Sequence, residues 1–344
     1  MTARQQVGSA DAHGAAQPTT MLAMVQDEYG EAEDVLRLEQ VDRPRIADGE
    51  VLVRVSAAGV DRGVWHMVAG LPYPIRLAGF GLRRPRNRVP GMDVAGRVEA
   101  VGKGVTKLRP GDEVFGVSVG SFAEYARAKE STLLRRPENL TAEQAAAVTV
   151  SGLTALQAVR DHGRVQSGQK VLIIGASGGV GTYAVQIAKA FGAEVTGVSS
   201  TSKVDLVRSI GADRVIDYRV EDIDNDGQRY DVILDIGGNR SLRRLRRALT
   251  PRGTLVITGG ETGGRWLGGT DRQLRAGVLS LFVGQKLGTF IASQNAADLA
   301  ALTEMLRSGE VTPAIDRTFP LSEAPAAIRY LLDGKARGKV VLTV

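Results

Sequence analysis

The sequence predicts a two-part α/β protein: a compact, barrel-like β-rich region, then a doubly wound parallel sheet with helices on both faces. Three observations carry this. From about Ser151 onward, apolar runs of strand length alternate with stretches of helical periodicity. One alternation holds a glycine turn, Gly175-Ala-Ser-Gly178-Gly179-Val-Gly181, between a strand and a helix. Ahead of it, short β-rich stretches sit between glycine and proline turns.

The chain has 344 residues, 43% of them hydrophobic, enough to bury a full core in two domains. Residues 1–20 are small and polar without the apolar stretch of a secretory signal, and read as a disordered tail. Val51 to Val55 and Val94 to Val98 read as strands of the first region. Val171 to Ile174, apolar throughout, reads as a parallel strand covered on both faces. Val180, Ala184, Ile187, Ala188 and Phe191 then recur at helical spacing. Further strands are expected at Glu194 to Val198, Arg214 to Asp217, Tyr230 to Asp235, Gly253 to Thr258 and near Val278 to Val283. A helix near Ala297 to Arg307 and a closing strand from Lys339 to Thr343 complete the chain.

Composition excludes several classes. There is no cysteine, so neither disulfides nor thiolate metal ligands are possible, which suits a reducing cytoplasm. No apolar run approaches the length of a membrane span. The net charge of +6 gathers partly in two arginine clusters, Arg83 to Arg88 and Arg243 to Arg247. In the second, Leu242, Leu245 and Leu249 mark the inner stripe of an amphipathic helix, and neither cluster interleaves aromatics for base stacking. Nucleic-acid binding is therefore not expected. Of the three histidines, only His66, with Asp61 and Asp93, offers a conceivable metal set, and a metal-free site is expected.

The glycine turn makes a place for a pyrophosphate. Its glycines permit a tight turn and close backbone approach, and the unpaired amides of the following helix face an anion. The spacing is Gly-x-x-Gly-x-x-Gly rather than Gly-x-Gly-x-x-Gly. Ligands of such sheets bind beyond the carboxyl ends of the strands, here Gly175, Ser199, Gly237, Thr258 and Phe282. After the second strand, Ser199-Ser200-Thr-Ser-Lys203 carries no carboxylate until Asp205. Hydroxyls and an ammonium suit the 2′-phosphate of NADPH better than the bare ribose of NADH. The same run also suits an ordinary serine-rich turn before a helix.

Together these residues resemble the medium-chain dehydrogenase/reductase superfamily, in its zinc-independent, quinone oxidoreductase-like branch. The resemblance runs from about Met21 to Val344. It is most specific in Val89-Pro-Gly91-Met-Asp93-Val-Ala-Gly96, continuing to Gly102, and in Leu108-Arg-Pro-Gly111-Asp112-Glu-Val-Phe-Gly116. Ser151-Gly-Leu-Thr154, Asp235-Ile-Gly-Gly-Asn239 and Ala336-Arg-Gly-Lys339 support it. It implies a GroES-like catalytic domain over 21–150, rejoined by 284–344, with a Rossmann-type NADP(H)-binding domain over 151–283 between them. Zinc-dependent relatives carry cysteine at Asp61 and Gly-His-Glu at Gly91-Met92-Asp93, so alcohol dehydrogenase chemistry is not implied. Tyr125 and Lys129 match the Tyr-x-x-x-Lys of short-chain dehydrogenases by chance, since they lie upstream of the glycine turn.

By this resemblance Ser177, Gly178, Gly179 and Val180 would hold the pyrophosphate, and Ser199, Ser200 and Lys203 the 2′-phosphate. Tyr218 would border the adenosine, although it could equally cover a sheet edge. Asn239 and Gly260 would line the groove, Phe282 and Thr154 would lie toward the nicotinamide, and Lys339 would reach toward phosphate. Asp61, Trp65 and Tyr73 are the candidate catalytic residues, with Tyr73 equally suited to packing its own loop.

The expected activity is metal-free, NADPH-dependent reduction of a small-molecule electron acceptor, a quinone or an electron-poor conjugated carbonyl. An enoyl-thioester reductase gripping a phosphorylated carrier through Arg83 to Arg88, or a non-catalytic NADPH sensor, are the rival expectations. Residues Gly277 to Gln285 are the expected edge of a homodimer joined through the cofactor domain, by analogy.

Overall fold

The computed structural model describes residues 19–224, 227–238, 240–259 and 264–344. β1 (Thr20–Val25) and β2 (Arg37–Asp42) form an antiparallel ribbon. β3 (Glu50–Val60), β4 (Asp93–Val101), β5 (Glu113–Val117), β6 (Tyr125–Lys129) and β7 (Leu133–Arg135) belong to a larger sheet. The chain then enters a parallel sheet: β8 (Lys170–Ile174), β9 (Glu194–Ser199), β10 (Arg214–Asp217), β11 (Tyr230–Asp235), β12 (Leu249–Ile257) and β13 (Lys286–Thr289). β14 (Ile315–Pro320) and β15 (Lys339–Thr343) return to the first sheet, in the order β14-β15-β3-β4-β5-β7 with β6 also on β3.

The parallel sheet runs β10-β9-β8-β11-β12-β13. The chain moves outward from β8 in one direction, then returns to start again at β11, so the switch point lies between β8 and β11. Side-chain alternation explains why β8 is apolar from Val171 to Ile174. Val171 and Ile173 pack into one core layer, and Leu172 and Ile174 into the layer on the opposite face. The Gly179–Ala190 helix covers the first of these layers with Ala184, Ile187 and Ala188. Its fully buried Tyr183 donates to the Ala147 carbonyl at 3.1 Å.

Two expectations change. Residues near Val278 to Val283 are not a strand: Thr270–Ser280 is a helix that buries Ala276. Its Leu274 and Val278, with Leu281 and Phe282 beyond its end, recur at helical spacing on an exposed face. The strand that completes the sheet is β13, so the sheet continues beyond residue 283. Residues 1–18 of the expected tail lie outside the described residues, whereas Thr20 already begins β1.

Candidate functional site

The glycine turn sits at the switch point. Gly175 has φ +85°, and a Cβ there would lie 3.0 Å from the Gly237 amide that follows β11. At Gly181 a Cβ would overlap the Gly175 carbonyl, so the helix can pack this close to its own strand only with glycine there. The helix begins without a side-chain cap at Gly178. A Cβ on Gly178 would meet nothing nearer than the Gly175 carbonyl at 3.4 Å. An uncapped helix start beside open space fits an anionic group held by backbone amides.

The C-terminal strand closes onto this turn. Gly338 donates to the Ser177 carbonyl at 2.8 Å and pairs with Gly178 in a parallel bridge. The next residue, Lys339, is buried, and its Nζ donates to Ser151 Oγ at 3.1 Å and to Asp93 Oδ2 at 3.4 Å. Asp61 Oδ2 lies 3.9 Å from the same ammonium and has no hydrogen-bond partner. A Cβ on Gly179 would press on Lys339 Cδ at 3.1 Å and Ser151 Oγ at 3.3 Å. The structure thus gathers Asp61, Asp93, Ser151, Gly179 and Lys339 where the two sheets meet. The expected reach of Lys339 toward phosphate is corrected, because its ammonium turns inward to two carboxylates.

Burial raises the Asp93 carboxyl to about 7, outweighing the attraction of Lys339, and the negative charge of Asp61 acts in the same direction. Two carboxylates share one ammonium here, and the cluster is neutral when one carboxyl keeps its proton. The other Asp93 oxygen, Oδ1, accepts from the Val150 amide at 2.9 Å.

Asp61 caps the Arg62–Ala69 helix, with Oδ1 accepting from the Val64 amide at 3.1 Å. Trp65 lies one turn along, half-buried against the first domain's core and the His66 ring. Tyr73 is separate from this group. Its amide donates to the Arg265 carbonyl at 2.9 Å and its ring meets Trp266 edge-on at 5.1 Å. Thr154 lies in the Thr149–Gln157 helix that carries Ser151, and donates to the Val150 carbonyl.

At the end of β9, Ser199 and Ser200 are buried, and the Tyr218 amide donates to the Ser199 carbonyl at 3.1 Å. Lys203 departs from expectation. Its Nζ donates to the carbonyls of Gly334 at 2.7 Å and Ala336 at 2.6 Å, and burial lowers its pKa. It therefore clasps the loop before β15. Phe282 is also displaced: it is 78% exposed and precedes β13, away from that strand's carboxyl end. Asn239 and Gly260 lie outside the described residues.

Sequence reasoning assigned no site role to Arg337, an exposed side chain whose charge acts on Lys203. It also missed the tie between Asp235, buried at the end of β11, and Arg272. Arg272 donates as well to the Gly238 carbonyl at 3.0 Å, and so fixes the loop after β11. Neighbouring glycines and a terminal arginine gave the only sequence signal. A cavity of about 600 Å³ opens elsewhere, lined by Lys286, Thr254 and Val232 near the beginnings of β11 to β13. Ligands of open parallel sheets bind at the opposite ends of the strands.

A doubly wound sheet joined to a β-rich domain at such a turn defines a dinucleotide-dependent oxidoreductase architecture. Comparison with known proteins agrees. Residues 47–138 match the alcohol dehydrogenase GroES-like domain, and residues 210–342 match the family described as zinc-binding dehydrogenase. The chloroplastic quinone-oxidoreductase QR1 of Triphysaria versicolor is 32% identical over 94% of this chain and 98% of its own length. The chloroplastic NADPH-dependent alkenal/one oxidoreductase of Arabidopsis thaliana is 32% identical over 94% of this chain and 80% of its own. The structure of the quinone oxidoreductase from Coxiella burnetii superposes with a TM-score of 0.81 at 26% identity, covering 94% of this chain and 99% of that one. The chain belongs to the medium-chain dehydrogenase/reductase superfamily, in its quinone oxidoreductase-like branch.

The residues at the corresponding place do not suit zinc. The ammonium of Lys339 stands within 4 Å of both Asp61 and Asp93, where it would repel a dication. His66 Nδ1 is engaged 2.5 Å from the Leu71 carbonyl. Among the described residues no three His, Asp or Glu side chains converge as metal ligands.

The buried cluster predicts a pH-dependent stability. Lys339→Met leaves Asp93 without its cation and should cost about 3 kcal/mol at pH 8 in denaturant unfolding. Near pH 5, where Asp93 keeps its proton, the loss should be markedly smaller. Because the folded carboxyl titrates higher than the unfolded one, its stabilisation is lost as pH rises from 3.8 to about 7. Asp93→Asn should flatten that slope, and an unchanged slope would contradict the assignment.

Proposed function

We propose that this chain is a metal-free, NADPH-dependent reductase of quinones or conjugated enones and enals. The observation that carries this reading is the open, uncapped glycine turn at the switch point, abutting the Lys339 cluster of the other domain. The relatives named as quinone oxidoreductase and NADPH-dependent alkenal/one oxidoreductase support it. NADPH, when bound, supplies the hydride. In this reading the amides of Gly179 and Val180 hold the pyrophosphate, with Ser177 shaping the turn and the bare Cα of Gly178 leaving room. Ser199, Ser200, Tyr218 and Arg337 form the 2′-phosphate end. Thr154 borders the nicotinamide end of the groove. Trp65 and Tyr73 wall the acceptor side. Asp61 is a positioning residue that caps the helix carrying Trp65. Water delivers the proton, to oxygen for a quinone and to the α-carbon for an enone or enal that takes the hydride at its β-carbon.

The deciding experiment is a panel of quinones, enals and enoyl thioesters assayed with NADPH. Turnover should be fastest on quinones or enals. Faster turnover on enoyl thioesters would move the assignment to that substrate class, and no turnover on any acceptor would leave only a binding protein.

NADPH should bind at least about tenfold tighter than NADH, or 1.4 kcal/mol. Arg337→Ala should remove most of that gap, whereas Lys203→Ala should chiefly lower the melting temperature by freeing the loop before β15. Equal affinities for the two cofactors in the parent would overturn this. Gly178→Val should keep a near-parental melt, since its backbone is extended and space is open, yet weaken NADPH binding about tenfold or more. Gly179→Val should lose both, because its side chain strikes Lys339 and Ser151.

A homodimer through the cofactor domain belongs to the same proposal. β13 is an edge strand, and Leu274, Val278, Leu281 and Phe282 form an exposed apolar stripe beside it. Light scattering should give twice the chain mass, falling to one chain in Leu281→Asp/Phe282→Asp. A parent of single-chain mass would refute it. Among the described residues no helix is long and apolar enough to cross a membrane. The cysteine-free composition supports the cytoplasm as the compartment in this proposal.

A further inference from the structure

A second surface lies at the mouth of the cleft. The loop from Leu71 to Arg86 packs on the Gly264–Leu267 helix through the Tyr73–Arg265 hydrogen bond and the Tyr73–Trp266 ring contact. Arg76 lies over the Tyr29 and Tyr73 rings and donates to the Gly70 carbonyl. The Tyr29 hydroxyl ties the carbonyls of Phe80 and Gly81. These contacts make the rim an ordered structure. It nevertheless presents large apolar side chains to solvent: Leu77 is 77% exposed, Trp266 75% and Leu82 64%.

Exposed cations belong to the same two segments. Arg83, Arg84, Arg86 and Arg265 form no ion pair among the described residues, in contrast to Arg88, which is paired with Asp27. Residues 71–88 contain no aspartate or glutamate. The rim adjoins the cleft: the Leu71 carbonyl contacts His66 on the helix that begins at Asp61.

We propose that this rim docks on an anionic lipid bilayer, so that a long-chain apolar acceptor enters the cleft from the membrane. The inference rests on the quinone-reductase reading for its acceptor, while the docking itself does not. Apolar side chains that stand out from the surface suit insertion into a fluid interface. Arginines beside them meet anionic headgroups, each contributing about fivefold in partition. A tryptophan among leucines is suited to the headgroup level, where its ring is part apolar and part wet.

The test is flotation of the full chain with vesicles of phosphatidylcholine, alone or mixed with phosphatidylglycerol. The protein should float with the mixed vesicles at low salt, with little binding to the neutral ones, and should be released by high salt. Arg83→Ser/Arg84→Ser should lower partition about 25-fold, from about fivefold per charge. Leu77→Ser/Leu82→Ser should lower it at least about tenfold while turnover of a water-soluble quinone is unchanged. Vesicles should blue-shift tryptophan emission in the parent and not in Trp266→Phe. No vesicle binding, or equal partition of parent and variants, would overturn the proposal, as would binding to an acidic protein in place of vesicles. Turnover of a soluble quinone without vesicle binding refutes docking alone. Vesicle binding without turnover of any acceptor supports docking and refutes the enzymatic reading.

Discussion

Everything at the meeting of the two sheets depends on burying one ammonium. Lysine is almost never fully buried without partners, and Lys339 is buried because Asp93 and Ser151 accept from it and Asp61 lies close by. Beside that ammonium β15 pairs with β3, and Gly338 donates to the Ser177 carbonyl. The glycine turn is thus held from outside its own domain. Losing the cation would leave a buried carboxylate and loosen the turn at the same time.

The loop before β15 is held from the other domain as well. Lys203, after β9, donates to the Gly334 and Ala336 carbonyls, and Gly338 follows directly. One short stretch therefore links the β9 end of the parallel sheet to the glycine turn after β8. Arg272 plays the equivalent part on the other side of the switch point, joining Asp235 and Gly238 to the Thr270–Ser280 helix. The candidate cleft is framed by backbone turns that charged side chains hold in place, an arrangement that leaves backbone amides available to an anion.

Much of this was legible beforehand where the physics is local. β10, β11 and β15 begin and end at the residues expected from runs of apolar and β-branched residues. The stretch 278–283 was misread because apolar residues in a short window fit either period. Only packing showed that Val278, Leu281 and Phe282 stay outside while Leu279 and Val283 lie against the core. Phe282 left the candidate site for that reason. Lys203 was misjudged because an ammonium after a serine run suits a phosphate, and nothing nearby in sequence announces carbonyls more than 130 residues away.

By itself the sequence determined the fold class, the strand–turn–helix that makes room for a phosphate, and the lack of thiolate ligands, because each depends on neighbouring residues or on composition alone. Only the tertiary structure decided that Lys339 faces Asp93 across 246 residues, that a side chain at Gly179 would meet Lys339 from the other domain, and that Lys203 clasps the loop before β15. Those outcomes depend on which groups must share a buried space and neutralise one another, and that is settled only when distant strands pack together.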